Sequence, residues 1–314
     1  MIVKTTSVQN QAGLSRLKLF WALSRTPHGL LDMATPGLCA LLWLGNLPPT
    51  AVVGLGLITA FSGYTAVYAL NDVIDYRMDR KKIQESGLRT SDHDLDAVYV
   101  RHPMAQGMLG YREGILWMAG WALLALIGSY LLNPACTVIF LTACVLEAIY
   151  CHLLKVSFLR GLISGVVKNS GGIAAVYAVD PNPAPLFLAV LFLWLFFWEI
   201  GGQNVPNDWA DLEEDRRLEA QTLPVRFGPE GSIAIIYSSL AAAWALSLVA
   251  FWVSPAALGL SYLAGALFSG FYFLILPAHR LFKTKEPEDA FALFNRASYY
   301  PLAMLLVAMV SRTI

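Results

Sequence analysis

Residues 71–80 read NDVIDYRMDR, and residues 207–216 read NDWADLEEDR. Both stretches carry Asn, Asp, Asp, Asp and Arg at the same five offsets, and each follows a long apolar run. On a helix, Asp72, Asp75 and Asp79 fall within ~60° of one another, an acidic stripe about 10 Å long. Asp208, Asp211 and Asp215 repeat those offsets, which predicts a second, identical stripe. A weak two-fold repeat of the bundle, with each motif at the end of a helix, follows from the pairing.

The surrounding composition decides where such stripes can sit. Of the 314 residues, 57% are hydrophobic and 14% charged, against about 25% charged in an ordinary soluble domain. Mean hydropathy is +0.55. These values predict one all-α integral membrane domain over 1–314. Zero net charge gives no basic field for nucleic acid. A spanning helix needs about 20 apolar residues. Nine segments qualify: 28–47, 50–70, 113–132, 135–153, 161–179, 184–203, 232–253, 257–278 and 293–311.

Lys and Arg fall almost wholly on one side of these spans. Lys4, Arg16, Lys18 and Arg25 precede the first. Arg77, Arg80, Lys81, Lys82, Arg89, Arg101 and Arg112 lie between the second and third. The positive-inside bias places the N-terminus, the long loops and both acidic motifs in the cytoplasm, and the C-terminus opposite. Residues 1–27 form a cytoplasmic segment, of which 14–25 reads equally as an interfacial helix or as the start of the first span. Residues 80–112 read as an enlarged loop, a candidate lid.

Position also sets the energetics. One Asp at the bilayer centre costs about 2.5–3.5 kcal/mol on insertion scales, so six are tolerated only at helix ends facing a polar cavity. Facing carboxylate stripes repel unless cations lie between them. Magnesium takes one or two carboxylates and fills its other positions with water and phosphate oxygens. The stripes therefore predict two Mg2+ ions holding a diphosphate, with Asn71 and Asn207 as neutral oxygen ligands. The five histidines show no ligand-like helical spacing, the four cysteines form no CxxC pair, and no P-loop is present.

NDVIDYRMD resembles the NDxxDxxxD motif of the UbiA superfamily of intramembrane prenyltransferases, and NDWADLEED is similar to its second motif, DxxDxxxD. The resemblance covers essentially the whole chain. It implies a nine-helix bundle around a central cavity open to lipid, with magnesium bridging both motifs and the diphosphate of an isoprenyl donor. By position Asn71, Asp75, Asp211 and Asp215 match the metal ligands, with Asp72, Asp79 and Asp208 supporting them. Tyr150 and Lys155 resemble the family's Tyr…Lys element, which puts Lys155 on the diphosphate; a snorkelling lysine is the alternative. Lys168, an intramembrane lysine, is a functional candidate by default. Arg101-His-Pro-Met-Ala-Gln-Gly107 resembles the family's RPxxxG stretch with a His inserted. Gln203 and Asn204 line the cavity or bond neighbouring helices. Trp194, Phe196, Phe197 and Trp198 are candidates to stabilise a cation, with packing the commoner role.

The implied reaction moves the isoprenyl group to an electron-rich aromatic or lipid-like acceptor within the membrane. A terpene cyclase of the same superfamily would use the same donor and motifs. A cation or proton transporter is the alternative from another class, disfavoured because transporter sites lie near the bilayer midplane.

Overall fold

The structure is a computed structural model that describes residues 14–86 and 95–311. Among these residues, eight helices are long and apolar enough to cross a membrane: Thr50–Gln84, Tyr111–Leu132, Pro134–His152, Arg160–Val179, Pro185–Ala210, Leu223–Val253, Leu260–Thr284 and Pro287–Val310. The protein is an all-helical integral membrane protein. The first expected span, 28–47, is not among these eight; it is covered by two short helices, α2 (Thr26–Asp32) and α3 (Ala34–Leu44), and α1 (Arg16–Leu23) precedes it. The break between α1 and α2 falls at Arg25, whose φ of 45° reverses the local twist. This left-handed turn aims the guanidinium inward rather than toward water.

The long helices follow in order: α4 (Thr50–Ser86), α5 (Tyr111–Leu132), α6 (Pro134–His152), α7 (Arg160–Val179) and α8 (Pro185–Trp198). Their starts obey local chemistry. The Glu113 carboxylate accepts from the Gly110 N–H at 2.8 Å ahead of α5. Asn133 caps α6 by accepting from the Ala135 N–H at 2.9 Å, with Pro134 at the first helical position. α4 runs seven residues past Asp79, so residues 80–86, expected in the loop, are helical. Arg80, Lys81, Lys82 and Gln84 are good helix formers, and nothing there stops the helix.

α8 continues into a π-helical turn, Glu199–Asn204, then α9 (Val205–Ala210) and α10 (Leu212–Arg217). The second acidic motif is therefore not one continuous stripe. Asp211 sits between α9 and α10 with φ −97° and ψ 10°. The physical reason lies in the sequence beyond it. Glu213, Glu214 and Asp215 fill the first turn of α10, where the helix dipole favours negative charge, and the Asp211 carboxylate turns to Arg101 rather than capping the helix. The chain ends with α11 (Leu223–Val253), α12 (Leu260–Gly270), a π segment (Phe271–Ile275), α13 (Leu276–Thr284), α14 (Pro287–Ser298) and α15 (Tyr300–Val310).

One large apolar core joins α3, α8, α11, α12 and α15 through Leu38, Leu42, Trp194, Trp198, Leu240, Tyr262 and Met304. Trp194 and Trp198 belong to this core, and the Trp198 indole donates to the Ala297 carbonyl at 2.9 Å. α3 approaches α7 closely at Gly172, where a Cβ would meet Cys39 Sγ at 2.8 Å. On the outside the pattern inverts. Leu116, Leu131, Val138, Trp252, Leu260 and Val310 are exposed, the distribution expected when lipid is the solvent.

Candidate active site

A cavity of about 520 Å³ lies between α2, α4, α6, α7 and the π turn of α8. All six motif aspartates line it, together with Asn71, Asn207, Asn204, Tyr150, Lys168 and Arg101. Thus two segments 136 residues apart in sequence face one another across a single space. Asp72, Asp79, Asp208, Asp211 and Asp215 are each less than a tenth exposed. Burying so many carboxylates requires cations nearby, and the chain supplies several.

Arg101 donates to Asp211 Oδ2 at 2.7 Å. Lys82 Nζ lies 3.8 Å from Asp215 Oδ1, and Arg160 Nη1 lies 3.9 Å from Asp208 Oδ1. Arg25 donates to Asn71 Oδ1 at 3.2 Å and to Asp72 Oδ1 at 3.5 Å. His102 Nδ1 stands 3.3 Å from Asp72 Oδ1 and 3.1 Å from Asp79 Oδ2. Burial disfavours the charged His102 ring, but the Asp79 and Asp72 carboxylates outweigh it and push its pKa up to about 9. The His that interrupts the Arg–Pro motif therefore acts as a cation between two acids.

The segment carrying Arg101 and His102 is also tied down from the other end. Asp96 Oδ2 accepts from Arg25 Nη1 at 3.0 Å, and Asp96 Oδ1 lies 2.5 Å from His28 Nδ1. Burial alone would raise the Asp96 pKa; Arg25 and His28 hold it well below the usual carboxylate range. Residues 95–110 thus lie across the charged end of the cavity. Residues 87–94, the rest of the enlarged loop, lie outside the described residues.

Other expected residues are distributed unevenly. Tyr150 and Asn204 meet, with Asn204 Nδ2 3.4 Å from the Tyr150 hydroxyl. Lys155 is exposed and does not line the cavity. α6 ends at His152 and the chain turns before α7, so the spacing from Tyr150 to Lys155 is not helical. Arg160, unnoticed in the sequence, occupies the inward position: it is buried, stacks on the Tyr150 ring at 4.0 Å, and its Nε has no hydrogen-bond partner. Lys168 lines the cavity a layer deeper than the motifs, bonded to Asp32 rather than set among the motif carboxylates. Glu147 also joins the wall, accepting from Asn71 Nδ2 at 2.7 Å. None of Trp194, Phe196, Phe197 and Trp198 lines the cavity; Tyr64, Tyr68 and Phe140 do.

The donor set suits a hard divalent cation. The carboxylates of both motifs and the side-chain amides of Asn71 and Asn207 line one cavity and offer oxygen ligands, while the cationic His102 ring holds Asp72 and Asp79 together. Below the acids comes a polar layer with Tyr68, Lys168 and Glu199, and beyond it the walls become apolar and small, with Val52, Gly56, Ala60, Gly63, Ile139 and Ala178.

Comparison with known proteins gives a consistent picture. A sequence model described as the UbiA prenyltransferase family matches residues 33–302. No curated protein sequence matches the chain. Among solved structures, an apo UbiA homologue from Aeropyrum pernix K1 is similar at 18% identity, with 94% of this chain and 100% of that chain covered and a TM-score of 0.70. A UbiA homologue from Archaeoglobus fulgidus bound to DMAPP and Mg2+ is similar at 16% identity, covering 93% and 99%, with a TM-score of 0.65. A digeranylgeranylglyceryl phosphate synthase structure is similar at 18% identity, covering 95% and 99%, with a TM-score of 0.67. At these identities the likeness speaks for the fold.

Proposed function

Since the chain belongs to the UbiA prenyltransferase family, we propose that it transfers an isoprenyl group from an isoprenyl diphosphate to an electron-rich acceptor within the membrane. The observation that carries this reading is the convergence of both acidic motifs on one cavity whose deeper walls are apolar. A diphosphate head and a prenyl tail need those two environments in that order. The A. fulgidus homologues bound to DMAPP or GPP with Mg2+ support the donor class and the metal.

Asn71, Asp75, Asp211 and Asp215 would hold magnesium, with Asp72, Asp79, Asp208 and Asn207 completing the cradle; two ions fit two motifs. A magnesium ion held there would supply positive charge to offset that of the leaving diphosphate. The chain's own cations act with it. Arg160, Arg101 and Lys82 each face a motif aspartate and would offer their charges to the phosphate oxygens of the donor. Arginine's planar fork matches phosphate geometry better than lysine's point charge, so we assign the diphosphate contact to Arg160 rather than Lys155. Asn204 and Tyr150 keep Arg160 in place from below. Tyr64, Tyr68 and Phe140 offer ring faces to an allylic cation, and the segment 95–110 limits water that would capture it. We place this charged end in the cytoplasm from the Lys and Arg bias.

Ring closure of the donor on itself uses the same motifs and differs only in product. The polar groups below the motifs favour an acceptor, because a self-cyclising tail needs an apolar lining at that depth. The test is magnesium-dependent release of diphosphate from farnesyl and geranylgeranyl diphosphate by purified protein in lipid. Asp75→Ala and Asp211→Ala abolish release while the protein remains inserted; near-normal turnover by either variant at saturating magnesium refutes the assignment.

A further inference from the structure

Diphosphate binding leaves a second polar layer of the cavity unused. It lies deeper in the membrane: Tyr68 precedes Asp72 by about one helical turn and Glu199 precedes Asp208 by about two and a half. Lys168 Nζ donates to Asp32 Oδ2 at 2.7 Å and to the Tyr68 hydroxyl at 2.7 Å. The Tyr68 hydroxyl donates to Asp32 Oδ2 at 2.6 Å. Ammonium, carboxylate and phenol thus satisfy one another. Glu199 stands outside this closed set. It is 5% exposed and lines the cavity. Its Oε1 accepts from the Ser164 hydroxyl at 2.7 Å, while its Oε2 has no hydrogen-bond partner. A buried carboxylate oxygen without a donor is rare in native proteins and calls for a ligand or a role. Its location adds to this, since π turns within α-helices recur at functional sites.

We propose that Glu199, flanked by the Lys168–Asp32 pair, recognises the prenyl acceptor, and that the acceptor presents a neutral hydroxyl group there rather than a carboxylate or phosphate. The proposal rests on the transfer reading above and adds the acceptor's chemical class and a residue that selects it. Three considerations carry it. The unpartnered Oε2 requires a donor, which a hydroxyl supplies and a carboxylate or phosphate anion does not. Charge balance points the same way: the Lys168 ammonium is paired with Asp32 at 2.7 Å. An anion entering the layer meets two carboxylates against a single ammonium that already neutralises Asp32, a juxtaposition that selects against it. Finally, an ammonium has three N–H donors, and the hydrogen bonds to Asp32 and Tyr68 use two. A hydroxyl can donate to Glu199 while its lone pairs accept from the third; an ether can only accept.

The test needs neither donor nor metal, so it can fail independently of the diphosphate-release assay. Full-length protein in nanodiscs is titrated with 1-naphthol, 1-methoxynaphthalene and 1-naphthoate, each corrected against protein-free nanodiscs. The wild-type protein binds naphthol about tenfold tighter than the ether or the acid, the scale of one hydrogen bond to a charged group. Glu199→Leu erases the preference for naphthol over its ether. Glu199→Gln, isosteric and neutral, keeps naphthol within about threefold and narrows the naphthol-to-naphthoate ratio about tenfold. Equal binding of all three probes, tighter binding of naphthoate, or an unchanged ratio in Glu199→Gln overturns the proposal. Should the leucine variant not fold, the glutamine variant still decides between these outcomes.

Discussion

Replacing Lys168 by methionine tests the energetics of the deep layer without reference to catalysis. Lys168 Nζ and Asp32 Oδ2 are 2.7 Å apart, with side chains 17% and 4% exposed. At an effective dielectric of 20 the pair attracts by about 6 kcal/mol, most of which offsets the desolvation of the two charges. Removing one partner forfeits the attraction but leaves the other charge buried. Such truncations typically cost about 3–5 kcal/mol. Here the lower end, about 3 kcal/mol, is expected. Asp32 retains the Tyr68 hydroxyl, and water from the cavity reaches the vacated position. Asp32→Asn added to Lys168→Met removes the stranded charge and recovers at least about half of the loss, since the neutral pair no longer needs solvation. The assay is unfolding free energy by SDS titration in mixed micelles, for the wild type, both single variants and the double variant. Refutation takes either of two forms: Lys168→Met within about 1 kcal/mol of wild type, or a double variant no more stable than the lysine variant.

Other expectations follow from the same geometry. Arg160→Met weakens binding of a prenyl diphosphate by about tenfold or more, the scale of a hydrogen bond to a charged group, whereas Lys155→Ala leaves it unchanged; isothermal titration with magnesium present reads both. Asp96 has a depressed folded-state pKa, so its stabilising contribution to residues 95–110 is fully present above the unfolded value of about 3.9, declines below that, and is lost as pH falls through the depressed folded value. Asp96→Asn releases that segment already at neutral pH, and hydrogen exchange of its amides shows both effects. Gly201→Ala brings a Cβ to 3.0 Å from the Ile236 carbonyl oxygen and 2.9 Å from Ser239 Cβ. Backbone cannot yield as a side chain does, and a loss of about 1–3 kcal/mol is expected in the same SDS titration.

Much of the site is legible in the sequence because its signal is local and chemical. Six aspartates at repeated offsets against an apolar background need no tertiary knowledge, and they converge on one cavity. The break at Arg25 is not legible: it falls in 14–25, which reads equally as an interfacial helix or as the start of the first span, and a left-handed turn at an arginine leaves no mark in composition. The contact expected of Lys155 is absent because helical spacing does not extend past the end of α6. Arg160, His28, Asp32 and Glu147 carry a usable signal that composition alone obscures, since ionisable residues within apolar segments are functional candidates. His28 and Asp32 even stand four residues apart, on one helical face. Their partners come from distant parts of the chain, Asp96 and Lys168, so only tertiary structure assigns their roles.

The π turn at Glu199–Asn204 has a bearing on how this half of the chain can change. A π turn holds one residue more than an α turn, and one residue corresponds to about 100° of rotation. Everything downstream on that helix, Asp208 foremost, is therefore indexed by the number of residues in this stretch rather than by their kind. Rewinding the same residues as regular α-helix would swing Asp208 by about 100° away from Arg160, though no motif letter had changed, whereas losing one residue as the turn closes to α would leave Asp208 in register. α4 carries its motif on regular helix with no such insertion. The two halves thus reach matching orientations by different residue counts, and a gapless alignment of one half with the other loses register at this point.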